Sequence, residues 1–270
     1  QRAAGDRLGR GSDGRSGRSR EFARAALRRR IGVEDLVSDA VERRPTQAAL
    51  ARTPVWDWPV RVVHWSMVLL FVLLVITGLR GGDALAWHMR FGQALLALVL
   101  FRVLWGFVGS RNARFRSFLR GPRAAASYVR SRVRREPEVH ATHNPIGGWM
   151  VIALLVAMLV QIGTGLFTND DILWDGPLAK HVSKETSDAL ASFHRRFAWV
   201  AVTLAALHVL AVVAYLAVFR ENLAKAMIDG VKALPSDLAD PSAASASSLK
   251  AMALLALCAF AVWFVLHRLA

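Results

Sequence analysis

The feature that most constrains this chain is an uninterrupted apolar run at residues 197–219, FAWVAVTLAALHVLAVVAYLAVF. The run has 23 residues and no charged side chain, and about 20 helical residues suffice to cross the hydrocarbon core of a bilayer. His208 lies in the middle of the run, and His194 lies just before it. The run therefore predicts a transmembrane helix with an ionisable residue at membrane depth, which marks a functional site.

The two histidines of this run share one helix face. They are 14 residues apart, and at about 100° and 1.5 Å per residue this spacing places them roughly 21 Å apart on nearly the same face. Between them that face carries Ala198, Ala201 and Ala205, small residues against which a flat group can lie. The pattern predicts two planar cofactors, one near each membrane surface, and indicates electron transfer through haem.

Composition and charge support a membrane protein. Of the 270 residues, 54% are hydrophobic, and the formal net charge is +15. The arginines flank the apolar runs, a pattern that reports membrane orientation, so we expect no nucleic-acid partner. The single cysteine, Cys258, cannot form an intrachain disulfide or supply four thiolates to an iron–sulfur cluster. The sequence also lacks C-x-x-C-H, so any haem must be held by side-chain ligation and packing.

We predict an all-α integral membrane protein, a four-helix transmembrane di-haem bundle with an additional fifth transmembrane helix. Asp57 and Asn144, each followed closely by a proline, are predicted N-caps of the first and third helices. The predicted segments are a basic, largely disordered N-terminal arm (1–54), the di-haem domain (55–232), a polar linker (233–250) and the C-terminal helix (251–270).

Loop charges predict the orientation of the chain in the membrane. The loop at residues 109–143 has nine arginines against two glutamates, whereas the loop at residues 168–193 carries five acidic residues and two lysines. Basic loops remain in the cytoplasm. We therefore expect the basic loop and the N-terminal arm on the cytoplasmic side of the bacterial inner membrane, with the acidic loop outside.

This orientation pairs four histidines by depth. His64 and His208 are expected toward the cytoplasmic side, and His88 and His194 toward the outside. A haem iron with two axial imidazoles needs ligands at similar depth on different helices. The consistent pairing is His88 with His194 and His64 with His208, and we predict these four residues as iron ligands.

Two arginines are further candidates for cofactor binding. Arg102 lies 14 residues after His88 and shares its face at the depth of the inner pair, which suits a counter-charge for a propionate of the inner haem. The alternative is an arginine that snorkels to the membrane surface. Arg61, one turn before His64, can contact a propionate from the surface or bind lipid phosphates.

The sequence resembles the bacterial cytochrome b561 family, which is related to the b-type cytochrome subunits of nickel–iron hydrogenases. The matching phrases span about residues 54 to 232 and are VWDWPVRVVHW, WHMRFGQALLALVLFRVLWGFVGS, HNPIGG and HRRFAWVAVTLAALHVLAVV. The resemblance implies a four-helix bundle with two haem b groups. It places the axial ligands on His64, His88, His194 and His208.

These observations predict a membrane di-haem cytochrome that passes electrons between the quinone pool and a redox partner. It acts either as the relay subunit of a larger complex, with a dehydrogenase, hydrogenase or c-type cytochrome as partner, or as a free-standing quinone-linked oxidoreductase. Quinone and membrane lipid are the other expected partners. The alternative is a transporter or metal-ion carrier that uses the same histidines. The uninterrupted run at residues 197–219 disfavours a transporter, which would be expected to have broken helices.

Overall fold

The structure, a computed structural model, describes residues 50–134 and 139–269. The predicted disordered arm lies almost wholly outside the described residues. In chain order the elements are β1 (Leu50–Pro54), α1 (Trp58–Arg80), α2 (Ala84–Val108), α3 (Phe115–Phe118), α4 (Pro122–Val133), α5 (Pro145–Gly165), α6 (Lys184–Phe219), α7 (Leu223–Asp229), β2 (Val231–Pro235) and α8 (Ser248–Leu269). Short 3₁₀ turns occupy Arg111–Ala113, Ala179–His181 and Pro241–Ala244.

Five helices, α1, α2, α5, α6 and α8, are long and apolar enough to cross a membrane. Their outer surfaces expose large apolar side chains such as Leu69, Phe107 and Leu210, as expected where lipid rather than water covers the protein. Within each helix the backbone groups bond to one another, which is required in a medium without water. The predicted helical fold with a fifth spanning helix is confirmed.

Local sequence explains where two of these helices begin. The Asp57 carboxylate accepts a hydrogen bond from the Val60 amide at 2.8 Å, and Pro59 occupies the first turn of α1. Asn144 caps α5 in the same way by accepting from the Gly147 amide at 2.8 Å. Each cap satisfies an amide that the first helical turn leaves without an intrahelical partner. Both predicted caps are confirmed.

Two helices begin earlier than their apolar runs. The apolar run of the second helix begins at Phe91, whereas α2 begins at Ala84. Helix α6 begins at Lys184, well ahead of its apolar run at residue 197. The hydropathy of a segment marks the part suited to lipid, and a helix can continue past it where a polar residue such as Ser183 caps the first turn. His88 and His194 therefore lie inside helices rather than at their mouths.

The helices form two neighbouring pairs, α1 with α2 and α5 with α6, and α2 also contacts α5 and α8. Leu95 and Val99 of α2 pack with Leu155 and Ile162 of α5. On another face of α2, Ala97 lies in a separate cluster with side chains of α8. The fifth helix therefore packs against the bundle through α2.

A two-stranded antiparallel sheet, not foreseen from sequence, joins the chain before α1 to the chain after α7. Leu50 pairs with Pro235 at one end of the sheet and Pro54 with Val231 at the other. Gly230, at φ 80°, ends α7 in the left-handed conformation and lets the chain turn into β2. We call the end of the bundle that holds this sheet the sheet side, and the end with the α1–α2 turn the far side.

Candidate functional site

The far-side pair consists of His88 on α2 and His194 on α6. Their ring centroids are 6.2 Å apart, and the ring planes are nearly perpendicular at 84°. Both rings are half-buried between helices. Two residues that are 106 positions apart in the sequence therefore face each other across the interior of the helix bundle.

Hydrogen bonds fix which nitrogen of each far-side imidazole carries the proton. His88 Nδ1 lies 3.0 Å from the Leu74 carbonyl oxygen, and His194 Nδ1 lies 2.9 Å from the Gln161 carbonyl oxygen. A carbonyl can only accept, so each Nδ1 carries the hydrogen and donates it. The lone pair of each neutral ring is thereby left on Nε2, the form in which imidazole ligates a metal.

The Gln161 side chain adds a polar group beside the same pair. Its Nε2 donates to the His194 carbonyl at 3.1 Å and lies 3.2 Å from His194 Nε2. The corresponding position on α1 is Leu74, which is apolar. The surroundings of His194 are therefore more polar than those of His88, although both rings contact a backbone carbonyl in the same way.

The sheet-side pair consists of His64 on α1 and His208 on α6. Both rings are half-buried, and the two side chains lie within electrostatic range of each other. His64 packs edge-on against Trp65 with centroids 5.2 Å apart. Its Nδ1 is buried and has no hydrogen-bond partner among the described residues.

His143, just before α5, belongs to the same sheet-side region. Its ring lies between Trp56 and Phe118, with centroid distances of 4.8 and 4.7 Å. Burial, together with the positive charge of Arg102, lowers the pKa of His143 to about 3, so the imidazole is neutral at neutral pH. Its buried Nδ1 has no partner within residues 50–134 and 139–269. A neutral ring with an unpaired buried nitrogen is suited to contact a polar group of a ligand.

Arg102 is buried on α2, with only 5% of its surface exposed. Its Nη1 makes one long hydrogen bond, to the Ala113 carbonyl at 3.5 Å, and its guanidinium lies 5.3 Å from the centre of the Phe115 ring. His64 lies within electrostatic range, as does Asp57. A buried guanidinium with weak bonding inside the protein is available to an anionic group at this site.

Arg61 faces a different environment. Its Nη1 donates to the Ile228 carbonyl of α7 at 2.6 Å, and its buried Nε has no partner among the described residues. It lines an open groove of about 460 Å³ together with Trp65 and Leu69. The predicted residues thus form two histidine pairs with Arg102 beside the second, whereas Arg61 borders a groove on the surface.

The side chains at both pairs fit haem b. Each pair supplies two imidazoles from different helices and no thiolate, the donor set of a bis-histidine haem iron. On the sheet side the unpaired Nδ1 of His143 and the weakly bonded Arg102 are suited to contact propionates. On the far side both Nε2 lone pairs are left for a metal by the Nδ1 contacts.

The sequence analysis missed the residues that contact the far-side imidazoles from α1 and α5. They are Leu74, Thr77, Gly78, Gln161 and Thr164, whereas Gly165 was already expected to leave room for a cofactor. A repeated pattern marks most of them, since T-G-L occurs at residues 77–79 and 164–166, and H-x-R-F follows at 88–91 and 194–197. This repeat becomes visible when the sequence of α1 and α2 is aligned with that of α5 and α6.

Comparisons with known proteins show which family the chain belongs to. Residues 55–230 match the profile of the family described as prokaryotic cytochrome b561. A probable Ni/Fe-hydrogenase B-type cytochrome subunit of Bradyrhizobium diazoefficiens is 24% identical over 73% of this chain and 97% of the relative. A protein of the same description from Rhodobacter capsulatus is 25% identical over 75% of this chain and 90% of the relative. No solved structure gave a significant match. The chain therefore belongs to the prokaryotic cytochrome b561 family and is a multi-pass membrane b-type cytochrome of electron transfer.

Proposed function

We propose that this cytochrome binds two haem b groups, one between His88 and His194 and the other between His64 and His208, and passes electrons between the quinone pool and a protein partner. The observation that carries the proposal is the far-side pair. There, two imidazoles face each other at 6.2 Å, and both Nδ1 hydrogens are directed to backbone carbonyls.

The protein's contribution to this function is to hold and shield the two sites. Haem b, when bound, supplies a one-electron iron couple. The four histidines act as axial ligands from α1, α2 and α6. Arg102 and the neutral ring of His143 hold propionates on the sheet side, where the buried charge of Arg102 favours the more negative, reduced state. Arg61 binds a lipid phosphate in its groove or contacts a propionate from the surface.

The spacing of the two sites suits transfer across a membrane. His194 and His208 lie on the single helix α6, and 14 residues correspond to roughly 21 Å along its axis. The hydrocarbon core of a bilayer is about 30 Å thick. The two sites therefore serve opposite leaflets of the inner membrane, with the basic sheet side in the cytoplasm.

The names of the relatives favour one kind of partner. Two proteins that match nearly their whole length to this chain are described as B-type cytochrome subunits of Ni/Fe hydrogenases. We infer that this chain likewise acts as the membrane electron relay of a hydrogenase-type complex. A free-standing quinone-linked oxidoreductase is the second role, and copurification of the chain with a large subunit from native membranes separates the two.

A metal-ion carrier is the alternative of another class. A carrier site for a metal ion needs several ligands around one point. Within residues 50–134 and 139–269, no group of three His, Cys, Asp or Glu side chains is placed to hold one. The histidines occur instead as pairs, the number of protein ligands that a bis-histidine haem requires.

Haem stoichiometry tests the proposal directly. A pyridine haemochrome assay on the purified protein, referred to protein concentration from amino-acid analysis, should give two haems per chain. Acid acetone should extract all of them, because the sequence has no C-x-x-C-H motif for c-type attachment. A ratio of one would show that a ligand pair is misassigned, and a colourless protein would favour the carrier.

A further inference from the structure

Each far-side histidine is contacted by the same arrangement of residues on the preceding long helix. On α1 the Leu74 carbonyl lies 3.0 Å from His88 Nδ1, and Thr77 Oγ1 lies 3.2 Å from the same nitrogen. A Cβ atom placed on Gly78 would lie 3.0 Å from His88 Cε1, a tight contact that the ring could relieve only by moving a few tenths of an ångström. A carbonyl, a hydroxyl and a glycine therefore occupy relative positions 0, +3 and +4.

Helix α5 repeats this arrangement around the other ligand. The Gln161 carbonyl lies 2.9 Å from His194 Nδ1, and Thr164 Oγ1 lies 3.4 Å away. A Cβ atom on Gly165 would lie 2.8 Å from His194 Cε1. The relative positions are again 0, +3 and +4. We call Thr77–Gly78 and Thr164–Gly165 the two Thr–Gly steps.

The threonine hydroxyls are oriented so that they can accept from the imidazoles. Thr77 Oγ1 donates its hydrogen to the Leu73 carbonyl at 2.7 Å, and Thr164 Oγ1 donates to the Val160 carbonyl at 2.9 Å. Such bonds to a carbonyl of the same helix are usual for helical threonine and use its only hydrogen. The oxygen lone pairs remain for the Nδ1 hydrogens. Each helix thus presents a carbonyl oxygen and a threonine hydroxyl oxygen as acceptors to the Nδ1–H group of its histidine.

On the sheet side, no such arrangement of described residues contacts His64. His64 Nδ1 is buried without a hydrogen-bond partner in the described part of the chain. The threonine and glycine pattern therefore distinguishes the far-side site from the sheet-side site. It occurs once on α1 and once on α5, two helices from different parts of the sequence.

We propose that the two Thr–Gly steps are positioning elements for a single haem, which hold both far-side imidazoles in the Nδ1–H form and lower the midpoint potential of that haem alone. The inference rests on the proposed di-haem function. The threonines contact ligands rather than iron, and the glycines provide the space in which the rings approach the helix backbone.

The direction of the effect follows from ligand basicity. An Nδ1–H group that donates to an acceptor makes Nε2 a stronger electron donor, which favours the oxidised iron. Loss of one acceptor weakens this preference, so the midpoint potential rises. Loss of such an outer contact typically costs tenfold or more in metal affinity. A tenfold change in the preference for oxidised over reduced iron corresponds to about 59 mV for a one-electron couple.

The experiment compares Thr77→Val and Thr164→Val with Thr77→Ser and Thr164→Ser in the full-length protein. Valine preserves the shape of threonine and removes the hydroxyl, whereas serine keeps it. Redox titration of the haem absorbance, with low-temperature EPR, should show that both valine variants raise the potential of the same haem. The serine variants should retain the wild-type value, and the second haem should stay unchanged in all four.

Glycine variants supply a second measurement. Gly78→Ala and Gly165→Ala should each weaken or abolish binding of that same haem, because the added Cβ displaces the ring. Gly163→Ala is the matched control on α5. Two residues along a helix turn the side chain by about 200°, and no atom lies within 4 Å of a Cβ at Gly163. This variant should keep both haems at their wild-type potentials.

Several outcomes would overturn the proposal. Valine variants with unchanged potentials, or valine variants that shift two different haems, contradict it. Failure of valine and serine variants alike to bind haem also contradicts it, because shape rather than the hydroxyl would then matter. Valine variants that fail while the serine variants bind both haems support it. A wild-type protein without two haems instead defeats the proposed function, so the two failures are distinguishable.

Discussion

At the scale of single residues, two buried charged side chains on the sheet side, Asp57 and Arg102, differ in how they are bonded. The carboxylate of Asp57 is buried, with one oxygen on the Val60 amide and the other accepting from Trp105 Nε1 at 3.0 Å. A buried charge with such bonds is stable. Arg102 nearby makes one long hydrogen bond with the described residues, to the Ala113 carbonyl, besides its contact with the Phe115 ring. We infer that Asp57 maintains the local structure, whereas Arg102 remains available to a ligand.

Ligand pairing predicts the pattern of haem loss in alanine variants. His88→Ala and His194→Ala should each remove the same haem, and the double variant should resemble either single one. Residues that share one site are strongly non-additive, because an iron that has lost one imidazole binds weakly and the second loss adds little. Low-temperature spectra and EPR of isolated membranes can follow each haem separately.

The sheet-side histidines provide the matched control for this pairing. His64→Ala and His208→Ala should together define the other haem. Across the pairs the losses should add, so His88→Ala with His208→Ala should abolish both signals. If His88→Ala and His64→Ala delete the same signal, the pairing and the predicted orientation of the chain are wrong.

At the scale of elements, the sequence was most informative where a physical rule acts locally. Uninterrupted apolar length predicted the spanning helices, and the cap residues Asp57 and Asn144 predicted two of their starts. The sheet was missed because residues 50–54 pair with a segment far along the chain, with Arg52 opposite Ala233, 181 positions away (233 − 52 = 181). Neither strand is recognisable without its partner. The helix start at Lys184 was missed because its first turn is polar and carries no hydropathy signal. The start at Ala84 was missed because His88 and Arg90 interrupt the apolar pattern.

The fifth helix should be dispensable for haem binding. Its buried residues Cys258, Val262 and Leu266 pack on α2 and nearby segments, and α8 supplies none of the proposed ligands. We expect truncation after Ser247 to leave both haems and their potentials intact. The thermal midpoint for loss of the haem spectrum should fall by a few degrees, because one packed face of α2 is transferred to lipid.

The truncation point matters for this test. A cut after Ser247 preserves β2 and the turn at Pro241–Ala244, where Asp240 contacts Arg111. A control cut after Asp229 removes β2 as well and should destabilise the sheet side. Loss of either haem in the shorter deletion would mean that the haem-binding bundle includes α8.

At the scale of the whole molecule, the histidine pairs could be proposed from depth alone. In a helix that spans the membrane, the position of a residue in the sequence gives its depth in the bilayer. The contacts of each ligand could not be proposed in this way. Leu74 and Gln161 act through backbone carbonyls, which every residue possesses. Only the repeated threonine and glycine carry a sequence signal, and this signal becomes visible when the two helix pairs are compared. The role of His143 depends on its contacts with Trp56 and Phe118, which helix periodicity does not predict.

The orientation of the molecule is the last prediction, and it follows from loop charge. The basic loop between α2 and α5 should face the cytoplasm, and the acidic loop between α5 and α6 should face outside. Cys258, the single cysteine, is buried, so the unmodified chain should react poorly with a membrane-impermeant maleimide. The exposed position Asp175→Cys should be labelled in intact spheroplasts, whereas the exposed position Arg123→Cys should be labelled only after lysis. The reverse pattern would place the sheet-side haem at the outer leaflet and overturn the predicted orientation.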